Sequence, residues 1–107
     1  MSAYAVIREA GPGWGEGGVF DQPQVEEHAA FMNGLADEGF VFCAGPLSGT
    51  EAGRVRVLLI VNAEGEDEVR RRLAGDPWAM SERLIVSSVE PWQILVGSTN
   101  VADAVSG

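Results

Sequence analysis

The sequence predicts a single α+β domain in which four strands and two helices follow one another as β-α-β-β-α-β. Three observations carry that reading. Apolar residues alternate in short runs, most plainly at Val55, Val57, Leu59 and Val61, the period of a strand with one buried face. They recur at helical spacing at Val25, His28, Ala29, Met32, Leu35 and Ala36. Each helical stretch ends in turn chemistry, Gly39 for the first and Gly75-Asp76-Pro77 for the second. At 107 residues, 46% apolar and 21% charged, the chain has the size and composition of one globular core.

The elements follow in order. Ala3 to Arg8 is a first, β-rich strand, and Gly11 to Gly18 a glycine-rich loop carrying Trp14. Asp21 is placed to cap the first helix, with Gln24 three residues on as its reciprocal partner and Pro23 in the first turn. Phe40 to Leu47 is the second strand, Ser48 to Gly53 a turn, and Arg54 to Val61 the third strand. Glu64 to Ala74 is the second helix. Its acids Glu66, Asp67 and Glu68 precede Arg70, Arg71 and Arg72 by four residues each, an order that suits the helix dipole. Leu84 to Val89 and Trp92 to Val96 form a final strand region, interrupted at Pro91. The domain is expected over 1–97, with 98–107 a loose C-terminal tail.

This order is a split βαβ, or ferredoxin-like, arrangement: a four-stranded antiparallel sheet with both helices on one face. Leu58 and Ile60 then place apolar bulk on the other face, and Leu95 does the same on the last strand. A second copy of the chain is the simplest cover, so a homodimer is expected.

Net charge is −9, with seven arginines and no lysine. Such a surface repels phosphate backbones and anionic membranes, so neither nucleic acid nor a membrane is an expected partner. The longest aliphatic run, Val57 to Val61, is too short to span a bilayer. The N-terminal residues lack the pattern of a signal peptide. Cys43 stands alone, inside an apolar strand, where a small buried thiol is the default; a lone cysteine suits a reducing, cytoplasmic setting.

Gly13-Trp14-Gly15-Glu16-Gly17-Gly18 matches the spacing of a dinucleotide loop. In a true one the last glycine opens the helix against the pyrophosphate, whereas here Val19 to Gln22 intervene before Pro23. The segment reads instead as a flexible flap beside a pocket, with Trp14 its apolar part. One histidine and one cysteine cannot build a structural zinc site. No metal, flavin or nicotinamide is therefore expected. The lone histidine, His28, lies on the apolar face of its helix: a hydrogen-bonded core residue or a proton-transfer group. Asp76-Pro77-Trp78 reads as the capped start of a short helix, with Trp78 packed. Its carboxylate could also accept from an imidazole. Arg8 is either a surface ion-pair residue, the favoured reading, or an anion clamp.

Four motifs in this order resemble the YCII-related family: Glu27-His28-Ala29-Ala30-Phe31-Met32, Gly45-Pro46-Leu47, Asp76-Pro77-Trp78 and Glu90-Pro91-Trp92. The resemblance runs from the first strand to about Gly97. It implies a ferredoxin-like dimer of the dimeric α/β-barrel superfamily. It also implies a histidine–aspartate pair at a pocket, proposed in the family to be catalytic, which falls here on His28 and Asp76. Glu26 and Glu27 stand where many relatives carry a basic or neutral residue.

The expected function is cofactor-independent proton transfer on a small, partly apolar molecule, as an elimination, isomerisation or related lyase step. His28 would be the general acid/base and Asp76 its orienter. Arg8, Trp14, Phe31, Phe42, Gly45, Pro46 and Trp78 are the expected substrate-binding residues. A non-catalytic ligand-binding or interaction domain, and a cofactor-free oxygenase, are the alternatives.

Overall fold

A computed structural model describes residues 2–97. The strands are β1 (Ser2–Ala10), β2 (Val41–Pro46), β3 (Arg56–Ala63) and β4 (Leu84–Pro91), and the helices are α1 (Val25–Asp37), α2 (Glu66–Leu73) and α3 (Pro77–Met80). The sheet order is β2-β3-β1-β4, with every neighbouring pair antiparallel. This is the ferredoxin-like arrangement, with a third, one-turn helix added after α2.

Alternation decides which residues face the helices. Tyr4, Val6 and Arg8 of β1 share a face with Val57, Leu59 and Val61 of β3. The core joins Val6, Leu59, Val61 and Ala63 to Leu35 of α1, to Phe40 and Val41, and to Val69 and Leu73 of α2. A second cluster of Val55, Trp78 and Leu84 lies toward the loop end, packed against Trp14, Val19 and Val25. The inward stripe of α1 is Val25, His28, Phe31, Met32 and Leu35, while Ala29 and Ala36 are exposed. The helix ends where Gly39 takes a φ of +82° and the Phe40 amide returns to the Leu35 carbonyl, a turn that favours a residue without Cβ.

Several local expectations are corrected. Asp21 does not cap α1. Its Oδ2 accepts from the Gly18 amide at 2.9 Å within a short 3-10 turn, and α1 starts only after Gln24, which has a left-handed backbone and no side-chain cap. Pro23 therefore precedes the helix. Of the three acid–arginine pairs expected on α2, only Glu66–Arg70 forms, at 2.9 Å. Arg71 meets Glu68 at 3.8 Å, and Arg72 reaches Glu38 at 2.8 Å and lies over the Phe40 ring. Cys43 is exposed rather than buried, because an irregularity between Val41 and Cys43 shifts the β2 register and pairs Cys43 with Ile60 on the uncovered face. Trp92 to Val96 is not a strand: pairing stops at Pro91. Ile60 is already buried in the single chain and Leu58 half-buried, whereas Leu95 is 78% exposed. Residues 98–107, expected to be a tail, lie outside the described residues. Among the described residues, no helix is long and apolar enough to cross a membrane.

The glycine-rich loop is anchored rather than free. The Gly11 and Gly13 amides donate to the Arg83 and Glu82 carbonyls, each at 2.9 Å. The buried Gln22 side chain accepts from the Gly15 amide at 2.7 Å and donates to the carbonyls of Gly15, Glu16 and Gly18. A Cβ on Gly13 would run into the Ser81 carbonyl oxygen, and one on Gly11 into that of Glu82. These glycines thus serve close backbone packing. Gly13→Ala is expected to lower stability by about 1–3 kcal/mol, the usual cost of overpacking, read as a fall in melting temperature. An unchanged melting temperature would show that the loop yields freely.

Candidate active site

Asp76 ends the turn after α2 and is the N-cap of α3, with Pro77 at the first helical position. Its Oδ1 accepts from the Trp78 amide at 3.0 Å. A four-residue helix has little intrinsic stability, so the cap, the proline and the packed indole of Trp78 together hold the turn. Trp78 is buried, and its Nε1 donates to the Pro23 carbonyl at 2.8 Å. That bond ties α3 to the approach of α1 and places Asp76 opposite the first turns of that helix.

There it meets His28. The imidazole Nδ1 lies 2.9 Å from Oδ1 and 2.8 Å from Oδ2 of Asp76. The ring stacks on Trp78, with centroids 4.0 Å apart and planes within 6°. Its freedom is removed on two sides, by the carboxylate at one edge and the indole on one face. With Nδ1–H donating to a carboxylate, Nε2 is the nitrogen left to accept a proton. The side chain is 17% exposed.

Arg8 completes the cluster. It is 1% exposed, at the inner face of β1, and its Nη1 donates to Asp76 Oδ2 at 2.8 Å. The surface reading of Arg8 is therefore wrong: strand alternation turns it inward, and its partner lies 68 residues away in sequence. Burial alone would push the Asp76 carboxyl up. The hydrogen bonds from His28, the Trp78 amide and Arg8, with attraction from His28, outweigh that and hold it below its ordinary value of 3.8.

His28 and Arg8 line a cavity of about 570 Å³ between the sheet, α1, α3 and the 3-10 turn. Of the residues expected at a binding site, the cavity brings together Arg8, Trp14, Gly45, Pro46 and Trp78 with His28. Trp14 stands edge-on to Trp78, centroids 5.7 Å apart. Asp76 lies behind His28. Two expected residues are elsewhere. Phe31 packs on the core and against Gly75, and Phe42 sits at the β2 irregularity outside the cavity lining. Sequence reasoning missed Val19, Phe20, Met32, Thr50 and Glu51, and the wall formed by Val55, Val57, Leu59 and Leu84. The strand period had placed the β3 members of that wall on one face, but nothing local marks that face as open to a ligand. Among the described residues, no group of three or more histidine, cysteine, aspartate or glutamate side chains could hold a metal ion.

No family model matches the chain, and no curated protein sequence does. Among solved structures it is similar to 5-chloro-2-hydroxyhydroquinone dehydrochlorinase (TftG) from Burkholderia phenoliruptrix AC1100, in complex with 2,5-dihydroxybenzoquinone. The TM-score is 0.54 and the identity 20%, over 91% of this chain and 97% of that one. At that identity the likeness shows the fold.

The depressed Asp76 value has a consequence for acid stability. The stability it confers is fully present above 3.8 and is lost as pH falls through the lower folded-state value. Asp76→Asn is expected to cost about 3–5 kcal/mol at neutral pH, because it leaves the Arg8 charge buried and unpaired. The gap from wild type should shrink on acidification to about pH 2. Urea unfolding of both proteins at the two pH values checks this. A gap that is the same at both would show that the carboxylate is not held ionised by its partners.

Proposed function

We propose that the chain is a YCII-related protein that catalyses cofactor-independent proton transfer on a small organic molecule, as an elimination, isomerisation or related lyase step. The observation that carries this is His28, whose Nδ1 is fixed by a buried, ionised Asp76 while the same ring lines an apolar cavity. A base of this kind contributes on the order of 100- to 10,000-fold in rate.

The step follows from the geometry. His28 Nε2 takes a proton from an acidic C–H, and the bonding pair passes into the neighbouring carbonyl, which becomes an enolate. Return of the proton at another carbon gives isomerisation. Collapse of the enolate with loss of an anionic leaving group gives elimination. Asp76 acts through His28 as a positioning residue: it fixes the tautomer and steadies the imidazolium that forms. The structural neighbour TftG is named as a dehydrochlorinase and is complexed with a dihydroxybenzoquinone; both point toward elimination on an oxygenated ring.

The helices pack on one face of the sheet only. The other face presents Ala5, Ile7, Leu58 and Cys43, with Ile85 exposed. We propose a second copy of the chain as its cover, giving a homodimer. Light scattering at micromolar concentration is expected to give twice the chain mass of 11.3 kDa; a single chain mass would remove the dimer.

Wild type is expected to release chloride from ring ketones that carry it β to the carbonyl, or to exchange acidic C–H protons of ring ketones with D2O. His28→Gln should do either about 100- to 10,000-fold more slowly, with its fold retained by circular dichroism. A His28→Gln protein as active as wild type would rule out the base. If neither protein acts on any substrate and His28→Gln mainly melts earlier, the pair is a structural hydrogen bond, the role that the capping of α3 by Asp76 favours.

A further inference from the structure

We infer that residues 92–97 are an apolar arm with which each copy of the chain clasps a second copy, seating Leu95 and Val96 on the other's uncovered sheet face. This rests on the homodimer proposed above and names the part of the chain that holds it.

Strand β4 ends at Pro91, and just beyond it the Trp92 amide still donates to the Ala3 carbonyl at 2.9 Å. The residues that follow, Gln93-Ile94-Leu95-Val96, are rich in strand formers. Among the described residues they nevertheless pair with no strand of their own chain. Six large apolar side chains are exposed among the described residues, and Trp92, Leu95 and Val96 are three of them, with Leu95 at 78% and Val96 at 92%. Single exposed apolar residues are ordinary on a protein surface; three gathered within five positions mark a contact surface. The arm is also continuous with the face that the helices leave open. Along β1, Ala3, Ala5 and Ile7 alternate with the inward Tyr4, Val6 and Arg8, so Ala3 belongs to the uncovered face. With Ser2, Pro91, Trp92, Gln93 and Ile94 it lines a recess of about 430 Å³ at the foot of the arm. A projecting arm beside a receiving hollow is a patch that two-fold symmetry makes self-complementary, each copy supplying both parts.

Charge selects the occupant. Trp92 to Gly97 carries no charged residue, in a chain of net charge −9. Two such copies repel each other, and an uncharged patch is where they meet without setting like charges side by side. A basic partner would instead be drawn to the acidic surface elsewhere on the chain.

The test is the dimer dissociation constant, read by sedimentation of the full chain over a dilution series. Leu95→Ala combined with Val96→Ala leaves the charge unchanged and removes apolar area that the single chain already exposes, so its fold is not at stake. The double variant should weaken the dimer at least about 100-fold, while the circular dichroism and melting temperature of the dissociated chain stay at wild-type values. Met80→Ala removes another exposed apolar side chain, at 69%, from α3 on the helix side, and should leave the constant unchanged. Added salt should tighten the wild-type dimer, because it screens the repulsion between two acidic copies. A double variant that dimerises like wild type overturns the arm and leaves the homodimer standing. So does a Met80→Ala protein that dissociates as readily as the double variant, or a wild-type dimer that salt loosens, which would mean that charged groups hold it. A wild type that stays a single chain removes homodimer and arm together.

Discussion

One buried carboxylate organises this molecule. Asp76 receives the Arg8 guanidinium from β1, the His28 imidazole from α1 and the Trp78 amide from α3. These elements are distant in the chain. A carboxylate taken out of water without partners would neutralise itself. Here three donors keep it charged, and each donor is fixed in return. The same atoms that start a helix therefore also set the tautomer of the histidine and turn an arginine into the sheet's covered face. Stability and chemistry share one group, so substitutions there report on both at once.

The layout around that group divides the labour. Below the cluster, Leu35, Val61, Val69 and Leu73 form a closed core. Above it, Val55, Leu59 and Leu84 belong equally to the packed interior and to the cavity wall. The cavity is a region where the helix layer does not cover the sheet completely. Its rim is held by short-range devices: Gln22 gathers the backbone of the glycine loop, and Thr50 Oγ1 donates to the Leu47 carbonyl at 2.8 Å and lies 3.1 Å from that of Arg56. The rim is thus held by side chains bonded to backbone carbonyls, and the floor is built of apolar side chains.

Local chemistry is what the sequence made legible. The alternation in β3, the stop at Gly39 and the Asp76-Pro77-Trp78 start of α3 depend on neighbours in the chain, and all three stand in the structure. Pairing over long distances was not legible. Arg8 reads as a surface residue until its partner 68 residues on is known. The β2 irregularity that exposes Cys43 and takes Phe42 away from the cavity arises from register with β3, which no local pattern encodes. Asp21 reads as the cap of the first helix, but the nearby Gly18 amide holds its carboxylate instead.

The stack of His28 on Trp78, planes within 6° at 4.0 Å, makes the site visible to light. An excited indole gives up an electron to an imidazolium pressed against its face far more readily than to the neutral ring. Emission from Trp78 therefore dims when His28 gains a proton and brightens when it gives one up. Trp14 and Trp92 contribute the rest of the tryptophan signal. The protein carries, without any label, an optical gauge of the proton on its only histidine.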